Sequence, residues 1–217
     1  MIKLEKITKK YGNRPVFSNF DFLAEDNKIT VVLGESGAGK TTLLNIIARL
    51  TDFDGTVSGV EDVSMVFQRD RLVPVLTVEK NVKLVNENAD VASYLKEFEL
   101  NGIENAYPHQ LSAGMARRVA IIRAFASTAP VVLMDEPLVN LDLSLKYLLI
   151  GKIKELKDKY GKTVVLVTHD TREAAMLADK IVVIKNGATV YETSSVSCDT
   201  EAELIDVLLN KKEKKDA

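Results

Sequence analysis

The chain has 217 residues, of which 46% are hydrophobic, and its formal net charge is −2. This length can bury one substantial core, and the near-neutral charge offers no basic field for nucleic acid or an anionic membrane. The single cysteine, Cys198, excludes an intramolecular disulfide, is expected to be inert and fits a reducing compartment.

The predicted elements begin with short antiparallel strands over roughly the first 28 residues, around a turn at residues 11–13. The next elements are a buried strand at 28–33, a helix at 42–50, a turn at 55–59 and a strand at 63–67. Helical spacing then covers residues 77–100, and a further helix is expected from an N-cap at Ser112 to about residue 127. We therefore expect a helical lobe at 77–127.

The second half of the chain continues this alternation of strands and helices. Its predicted elements are a strand at 131–134, a helix at about 142–159, a strand at 163–167, a helix at 171–178 and a hairpin of 181–184 with 188–191. Gly161 is the expected C-cap of the long helix, and Asn186 with Gly187 forms the hairpin turn. The alternation favours a mostly parallel α/β sheet, with all 217 residues in a single domain. The basic residues 211–215 are expected to be a solvated, frayed end.

Residues 34–41 read G-E-S-G-A-G-K-T and match the phosphate-loop pattern G-x-x-x-x-G-K-[ST] between a predicted strand and a predicted helix. The glycines allow successive backbone N–H groups to face a polyphosphate, at the positive end of the helix dipole. Lys40 can reach the β- and γ-phosphates, and the Thr41 hydroxyl can hold Mg²⁺. The pattern predicts nucleoside triphosphate binding by Gly34, Glu35, Ser36, Gly37, Ala38, Gly39, Lys40, Thr41 and Thr42.

Two acids follow the apolar strand at 131–134. Asp135 is placed to reach the Mg²⁺ shell, and Glu136 can orient or deprotonate a water for in-line attack on the γ-phosphate. An acid pair after a strand can also mark only the start of a helix. The phosphate loop elsewhere in the chain favours the catalytic interpretation.

These motifs together resemble the ATP-binding subunits of ABC transporters along nearly the whole chain. Residues 111–115, L-S-A-G-M, are similar to the family's signature L-S-G-G-Q and lie about twenty residues before the strand at 131–134. Gln68 matches the Q-loop glutamine, residues 140–142 match the D-loop, and His169 matches the switch histidine. Tyr11 matches the aromatic residue that stacks on adenine.

The resemblance implies a P-loop NTPase core with a mostly parallel sheet, an N-terminal antiparallel β subdomain and a helical signature lobe. It also implies ATP hydrolysis with Mg²⁺, in which Gln68 touches the metal or its water and His169 contacts the γ-phosphate. Two copies would pair head to tail, with each ATP between the phosphate loop of one copy and the signature of the other. The signature residues that would contact this ATP are Ser112, Ala113 and Gly114.

Two residues depart from the family signature. Ala113 stands in place of a glycine, but it keeps its backbone N–H and can still contact phosphate where its φ is negative. Met115 replaces an amide side chain and removes polar contacts near the nucleotide. We expect a reduced or retuned ATPase rather than an inactive one.

A narrower resemblance concerns residues 67–78 and the S-x-G-M form of the signature, which are similar to the nitrate/sulfonate/taurine-type importer ATPases. It implies transmembrane permease subunits, a separate substrate-binding protein and a position at the cytoplasmic face of the membrane. The implied cargo is a small anion, a sulfonate, or a vitamin or pyrimidine precursor. A soluble ABC-type ATPase in a non-transport complex is the alternative, while a P-loop switch or kinase would leave residues 112–115 and His169 without a role.

Overall fold

The computed structural model describes residues 1–197 and 199–209. The expectations for Cys198 and for residues 211–215 lie outside these described residues. The strands are β1 (Ile2–Tyr11), β2 (Arg14–Ala24), β3 (Ile29–Leu33), β4 (Asp54–Ser58), β5 (Val63–Val66), β6 (Val131–Asp135), β7 (Thr163–Thr168), β8 (Lys180–Lys185) and β9 (Ala188–Thr193). The helices are α1 (Lys40–Ile47), α2 (Val78–Lys83), α3 (Val91–Glu97), α4 (Ala113–Ala126), α5 (Leu143–Tyr160), α6 (Thr171–Leu177) and α7 (Thr200–Leu208).

The strands form two sheets. The larger has the order β5-β6-β7-β3-β8-β9, in which the first five strands are parallel and β9 is antiparallel to β8. The smaller is antiparallel, with the order β2-β1-β4. The predicted mostly parallel sheet and the N-terminal antiparallel strands are therefore confirmed.

The central strands of the larger sheet are apolar because both of their faces are covered. Every residue of β3, β6 and β7 is buried, as expected for parallel strands with helices on both faces. Neighbouring residues of β3 enter different apolar clusters: Val31 belongs to the cluster that includes residues of α4, α5 and α6, and Val32 to the cluster that includes residues of α1 and the small sheet. The carboxyl ends of β3, β6 and β7 lie at one edge, where such sheets bind ligands.

Three local predictions differ from the structure. Residues 55–59 were expected to form a turn, but β4 pairs with the edge of β1, and Gly55 takes φ +113 opposite a register shift in that strand. The helical region 77–100 consists of two helices, because the Asp90 side chain accepts a hydrogen bond from the Ser93 N–H and starts α3 anew. The helix α7 was not predicted.

Two predictions of backbone conformation are confirmed. Gly161 ends α5 in the left-handed region at φ 58, which a residue without Cβ adopts at little cost. Asn186 and Gly187 both have positive φ, 49 and 75, as a two-residue hairpin turn requires.

Candidate active site

A cavity of about 1000 Å³ lies at the carboxyl edge of the larger sheet. Its lining contains most of the site residues predicted from the sequence: Tyr11, Gly34, Glu35, Ser36, Gly37, Gly39, Lys40, Thr41, Thr42, Gln68, Asp135, Glu136 and His169. Ala38 is also part of this loop but is buried, with 8% of its surface exposed. The fold therefore brings together five features that lie apart in the sequence: Tyr11, the phosphate loop, Gln68, the acid pair and His169.

The glycines of residues 34–41 shape the phosphate loop. Gly37 and Gly39 have φ of +82 and +105, a region that residues with a Cβ rarely adopt. A Cβ on Gly34 would collide with the backbone carbonyl of Ile184. Within the described residues, no side chain caps the N-terminus of α1, so its first backbone N–H groups are available to an anion.

Lys40 is held inside this loop. Its ammonium donates hydrogen bonds to the carbonyl oxygens of Gly34, at 2.7 Å, and Glu35, at 3.1 Å. The same Nζ lies 3.6 Å from Oε1 of Glu136, and the Lys40 side chain is only 7% exposed. The positive charge thus lies beside the catalytic acid predicted from the sequence.

Thr41 and Asp135 meet at the base of the cavity, although 94 positions separate them in the chain. The Thr41 hydroxyl donates to Oδ1 of Asp135 at 3.1 Å. Burial raises the pKa of the Asp135 carboxyl, and the charge of Glu136 raises it further, while the Thr41 hydrogen bond and the charge of Lys40 act in the opposite direction. A nearby cation would stabilise the ionised form of a carboxylate that is buried in this way.

Glu136 lies on a bend after β6. Its backbone N–H donates to the carbonyl of Val167 at 3.0 Å, and its φ is +49, which is uncommon outside glycine and often found at functional sites. One carboxylate oxygen is 2.8 Å from Nδ1 of His169. Glu136 is 13% exposed and His169 59% exposed, so the pair lies where the cavity opens.

The signature residues are placed differently. The Ser112 hydroxyl accepts a hydrogen bond from the Met115 N–H at 3.2 Å, which confirms the predicted N-cap of α4. Ala113 is helical, with negative φ, and both Ser112 and Ala113 are exposed. Gly114 allows α4 to approach α5, because a Cβ there would lie 2.8 Å from Cδ2 of Leu145. None of these three signature residues lines the cavity formed by the described chain.

Comparison with known protein families supports the arrangement. Residues 17–139, more than half of the chain, match the ABC transporter family. This chain belongs to the ABC transporter family. The resemblance predicted from the motifs is confirmed, and the chain is an ABC-type ATPase.

Individual relatives of this ABC ATPase are similar over most of its length. The aliphatic sulfonates import ATP-binding protein SsuB 3 of Paraburkholderia xenovorans is 39% identical over 191 residues, which are 86% of this chain and 77% of that protein. The Fe(3+) ions import ATP-binding protein FbpC of Fusobacterium nucleatum is 35% identical over 86% of this chain and 56% of its own length. The dimeric post-hydrolysis structure of the ATP-binding cassette MJ0796, bound to ADP and Pi, has a TM-score of 0.78 at 31% identity, covering 89% of this chain and 98% of that one.

Sequence reasoning missed several residues that line the cavity of this ABC ATPase. They are Arg14, Pro15, Val139, Asn186, Gly187 and Leu208. Asn186 and Gly187 carried a turn signal but no signal for a site, and their hairpin reaches the cavity because Gly187 packs directly against the backbone of Val16. Leu208 belongs to the unpredicted helix α7. In the described part of the chain, no helix combines the length and apolarity needed to cross a bilayer.

Proposed function

We propose that this ABC ATPase works as a head-to-tail homodimer that binds MgATP and powers a membrane importer. The observation that carries the proposal is the divided site: the phosphate loop, the acid pair and His169 line one cavity, while the signature residues lie outside it, with Ser112 and Ala113 exposed. The similar cassette MJ0796 is dimeric in its ADP-bound structure. In this proposal the 217 residues form one domain, and the helical lobe at residues 77–127 carries the signature.

In this proposal the adenine of ATP stacks on Tyr11, which is half exposed at the edge of the cavity. Val16, across the hairpin between β1 and β2, supplies a second apolar wall. The phosphates lie on the glycine-shaped loop at the N-terminus of α1, where backbone N–H groups and the helix dipole favour negative charge. The Lys40 ammonium then donates to the β- and γ-phosphates instead of to the carbonyl oxygens of Gly34 and Glu35.

Mg²⁺ fits the donors at the base of the cavity. Mg²⁺ prefers oxygen ligands and is held by one or two protein groups together with phosphates and water, and the Thr41 hydroxyl and Asp135 carboxylate already meet there at 3.1 Å. Gln68, which also lines the cavity, is the third predicted ligand or acts through a water. When bound, Mg²⁺ neutralises charge on the β- and γ-phosphate oxygens.

Hydrolysis in this proposal depends on Glu136 and His169. Glu136 removes a proton from a water molecule while the oxygen of that water attacks the γ-phosphorus. The bond between the γ-phosphorus and the bridging β-phosphate oxygen breaks, and its electron pair leaves with ADP. His169, bonded to Glu136 at 2.8 Å, is placed to contact the γ-phosphate. The second copy contributes Ser112, Ala113 and Gly114. These residues lie at a helix N-terminus, which binds the negatively charged γ-phosphate from across the interface.

A mixture of two inactive variants tests the divided site. Lys40→Ala disables the phosphate loop, and Ser112→Asp keeps an N-capping side chain but places a negative charge where the γ-phosphate would approach. In a head-to-tail dimer, a mixed pair carries both defects in one site and none in the other. Because half of the dimers in an equal mixture are mixed, we expect the steady-state ATPase rate to recover to about a quarter of the wild-type value.

The control is a mixture of the double variant Lys40→Ala, Ser112→Asp with wild-type chain. Its composition is chosen so that it contains the same concentration of intact sites as the mixture of single variants. If the equal mixture of single variants hydrolyses no more ATP than its two components measured separately, the signature does not act across an interface. Circular dichroism of each variant verifies that both chains are folded.

The importer part of the proposal is supported by the names of the relatives, which are import ATP-binding proteins for aliphatic sulfonates and for Fe(3+) ions. We propose permease subunits in the membrane, a separate substrate-binding protein, and a position for this chain at the cytoplasmic face. The cargo of the nitrate/sulfonate/taurine type is a small anion, a sulfonate, or a vitamin or pyrimidine precursor. Exposed apolar residues on the loop after Gln68, above all Val75 at 79% exposure, offer a surface for a permease.

Affinity purification of the tagged chain from native membranes tests this assignment. We expect two permease subunits to co-purify, and expect Val75→Asp to reduce their recovery at least tenfold, since a buried unpaired charge is costly at an interface. Val75→Thr, which changes the same exposed side chain without adding a charge, serves as the matched variant that should retain the permeases. Recovery of only a complex without membrane proteins would favour the soluble ABC-type ATPase instead.

A further inference from the structure

We propose that Lys146 is a positioning residue for His169, acting through the buried carboxylate of Glu173. The inference deepens the proposed function, because it rests on the role of His169 in hydrolysis. Lys146 lies in the first turn of α5, and Glu173 lies in α6, just after His169. No motif in the sequence marks either residue.

The contact between the two helices is short and shielded. Nζ of Lys146 donates to Oε1 of Glu173 at 2.6 Å and to Oδ2 of Asp170 at 3.3 Å. The side chain of Glu173 is 6% exposed, and that of Lys146 is 23% exposed. A buried carboxylate is costly without a charged or hydrogen-bonding partner, and Lys146 is its charged partner.

Glu173 in turn holds the backbone on both sides of His169. Its other carboxylate oxygen accepts a hydrogen bond from the Thr168 hydroxyl at 2.7 Å, and that hydroxyl accepts one from the Asp170 N–H at 3.1 Å. Thr168 ends β7 and is fully buried. His169 is therefore fixed between two anchored neighbours although its own ring is exposed.

The charge of Lys146 is maintained by its partners. Burial alone would lower the pKa of Lys146, but the hydrogen bonds and negative charges of Glu173 and Asp170 raise it overall. The ammonium is therefore protonated at neutral pH. Without it, Glu173 and Asp170 would be two neighbouring acids that repel each other, and the buried Glu173 side chain would move towards solvent.

The consequence concerns the contact between His169 and Glu136. That contact is 2.8 Å long and depends on where the 168–170 backbone places the imidazole. Misplacing a catalytic group by about 1 Å can cost up to roughly 100-fold in rate. The groups proposed to bind adenine and phosphate, Tyr11 and Lys40, are not in this network, so ATP affinity should be retained.

The test compares three variants of the full-length chain. Lys146→Met removes the charge and keeps the aliphatic stem, and we expect kcat for ATP hydrolysis to fall about tenfold while the Kd for ATP changes less than about twofold. Lys146→Arg restores the charge and should return kcat to within about twofold of wild type. Lys152→Met is the matched control: Lys152 lies on the same helix, and within residues 1–197 and 199–209 its one ion pair is with the exposed Glu155 at 2.7 Å, so its kcat should be unchanged.

A second readout reports on the imidazole itself. The chain contains two histidines, so His169→Ala assigns the ring ¹⁵N signals, and His109 serves as an internal reference. We expect Lys146→Met to shift the His169 signals and to leave those of His109 in place. We expect the His169 signals of Lys146→Arg to lie at their wild-type positions. Should Lys146→Met not fold, Glu173→Gln, which keeps the shape of the side chain, is measured in the same two ways.

The inference is overturned if kcat and the His169 signals of the folded Lys146→Met chain equal those of wild type. It is also overturned if kcat and ATP affinity fall together and Lys146→Arg does not restore them. A wild-type chain that hydrolyses no ATP would contradict the proposed function itself, whereas an active wild type with an equally active Lys146→Met contradicts only the positioning role.

Discussion

Replacing Glu136 with glutamine should lower kcat for ATP hydrolysis by about 100- to 1000-fold while ATP still binds. Loss of a general base costs an enzyme on this order, and the amide cannot accept the proton of the attacking water. The substitution preserves side-chain size and a hydrogen-bonding oxygen for His169, which now contacts the carboxylate at 2.8 Å. The phosphate loop and the Thr41–Asp135 pair are untouched, so binding of nucleotide should persist.

The expected state of this variant is an ATP-bound dimer that does not release. Size-exclusion chromatography with light scattering should give twice the monomer mass with ATP and the monomer mass without it. Glu61→Gln, which makes the same chemical change at an exposed turn, should hydrolyse ATP at the wild-type rate. Normal hydrolysis by Glu136→Gln would mean that another group activates the water.

Replacing Lys40 with alanine should raise the Kd for ATP at least about 100-fold, which corresponds to about 2.7 kcal/mol. Its ammonium is the cation within the phosphate loop, and the cavity also contains three carboxylates, those of Glu35, Asp135 and Glu136. A polyphosphate entering the cavity without Lys40 would face those acids with less compensation, since Arg14, which also lines the cavity, lies outside the phosphate loop. Isothermal titration calorimetry with MgATP measures the change directly.

Two further variants separate a loss of charge from a loss of structure. Lys40→Met keeps the buried stem but not the hydrogen bonds to Gly34 and Glu35, and it should bind as weakly as Lys40→Ala. Lys154→Ala removes one exposed lysine from α5 and should bind ATP as wild type does. Retained ATP affinity in both Lys40 variants would refute the role assigned to the phosphate loop.

Much of the fold was predictable because its signals are local. The apolar runs at β3, β6 and β7 are long enough to mark buried strands, and the N-cap at Ser112 and the C-cap at Gly161 depend on their own side chain or conformation. β4 was not predictable in the same way. Its glycine and polar residues favour a turn, and it becomes a strand because the edge of β1 supplies hydrogen-bonding partners.

The candidate site also has one part that local sequence determines and one part that depends on long-range contacts. The amino-acid sequence by itself determined what is bound, because a phosphate loop is one contiguous stretch whose backbone N–H groups and lysine are its recognition elements. Only the tertiary structure decided which distant residues meet: Asp135 beside Thr41 and His169 beside Glu136 in the cavity, and Lys146 beside Glu173 behind it. Those contacts depend on the order of strands in the parallel sheet, which places β3, β6 and β7 side by side and aligns their carboxyl ends. The same order leaves the signature helix outside the cavity, and for that reason we propose that a second copy completes the site.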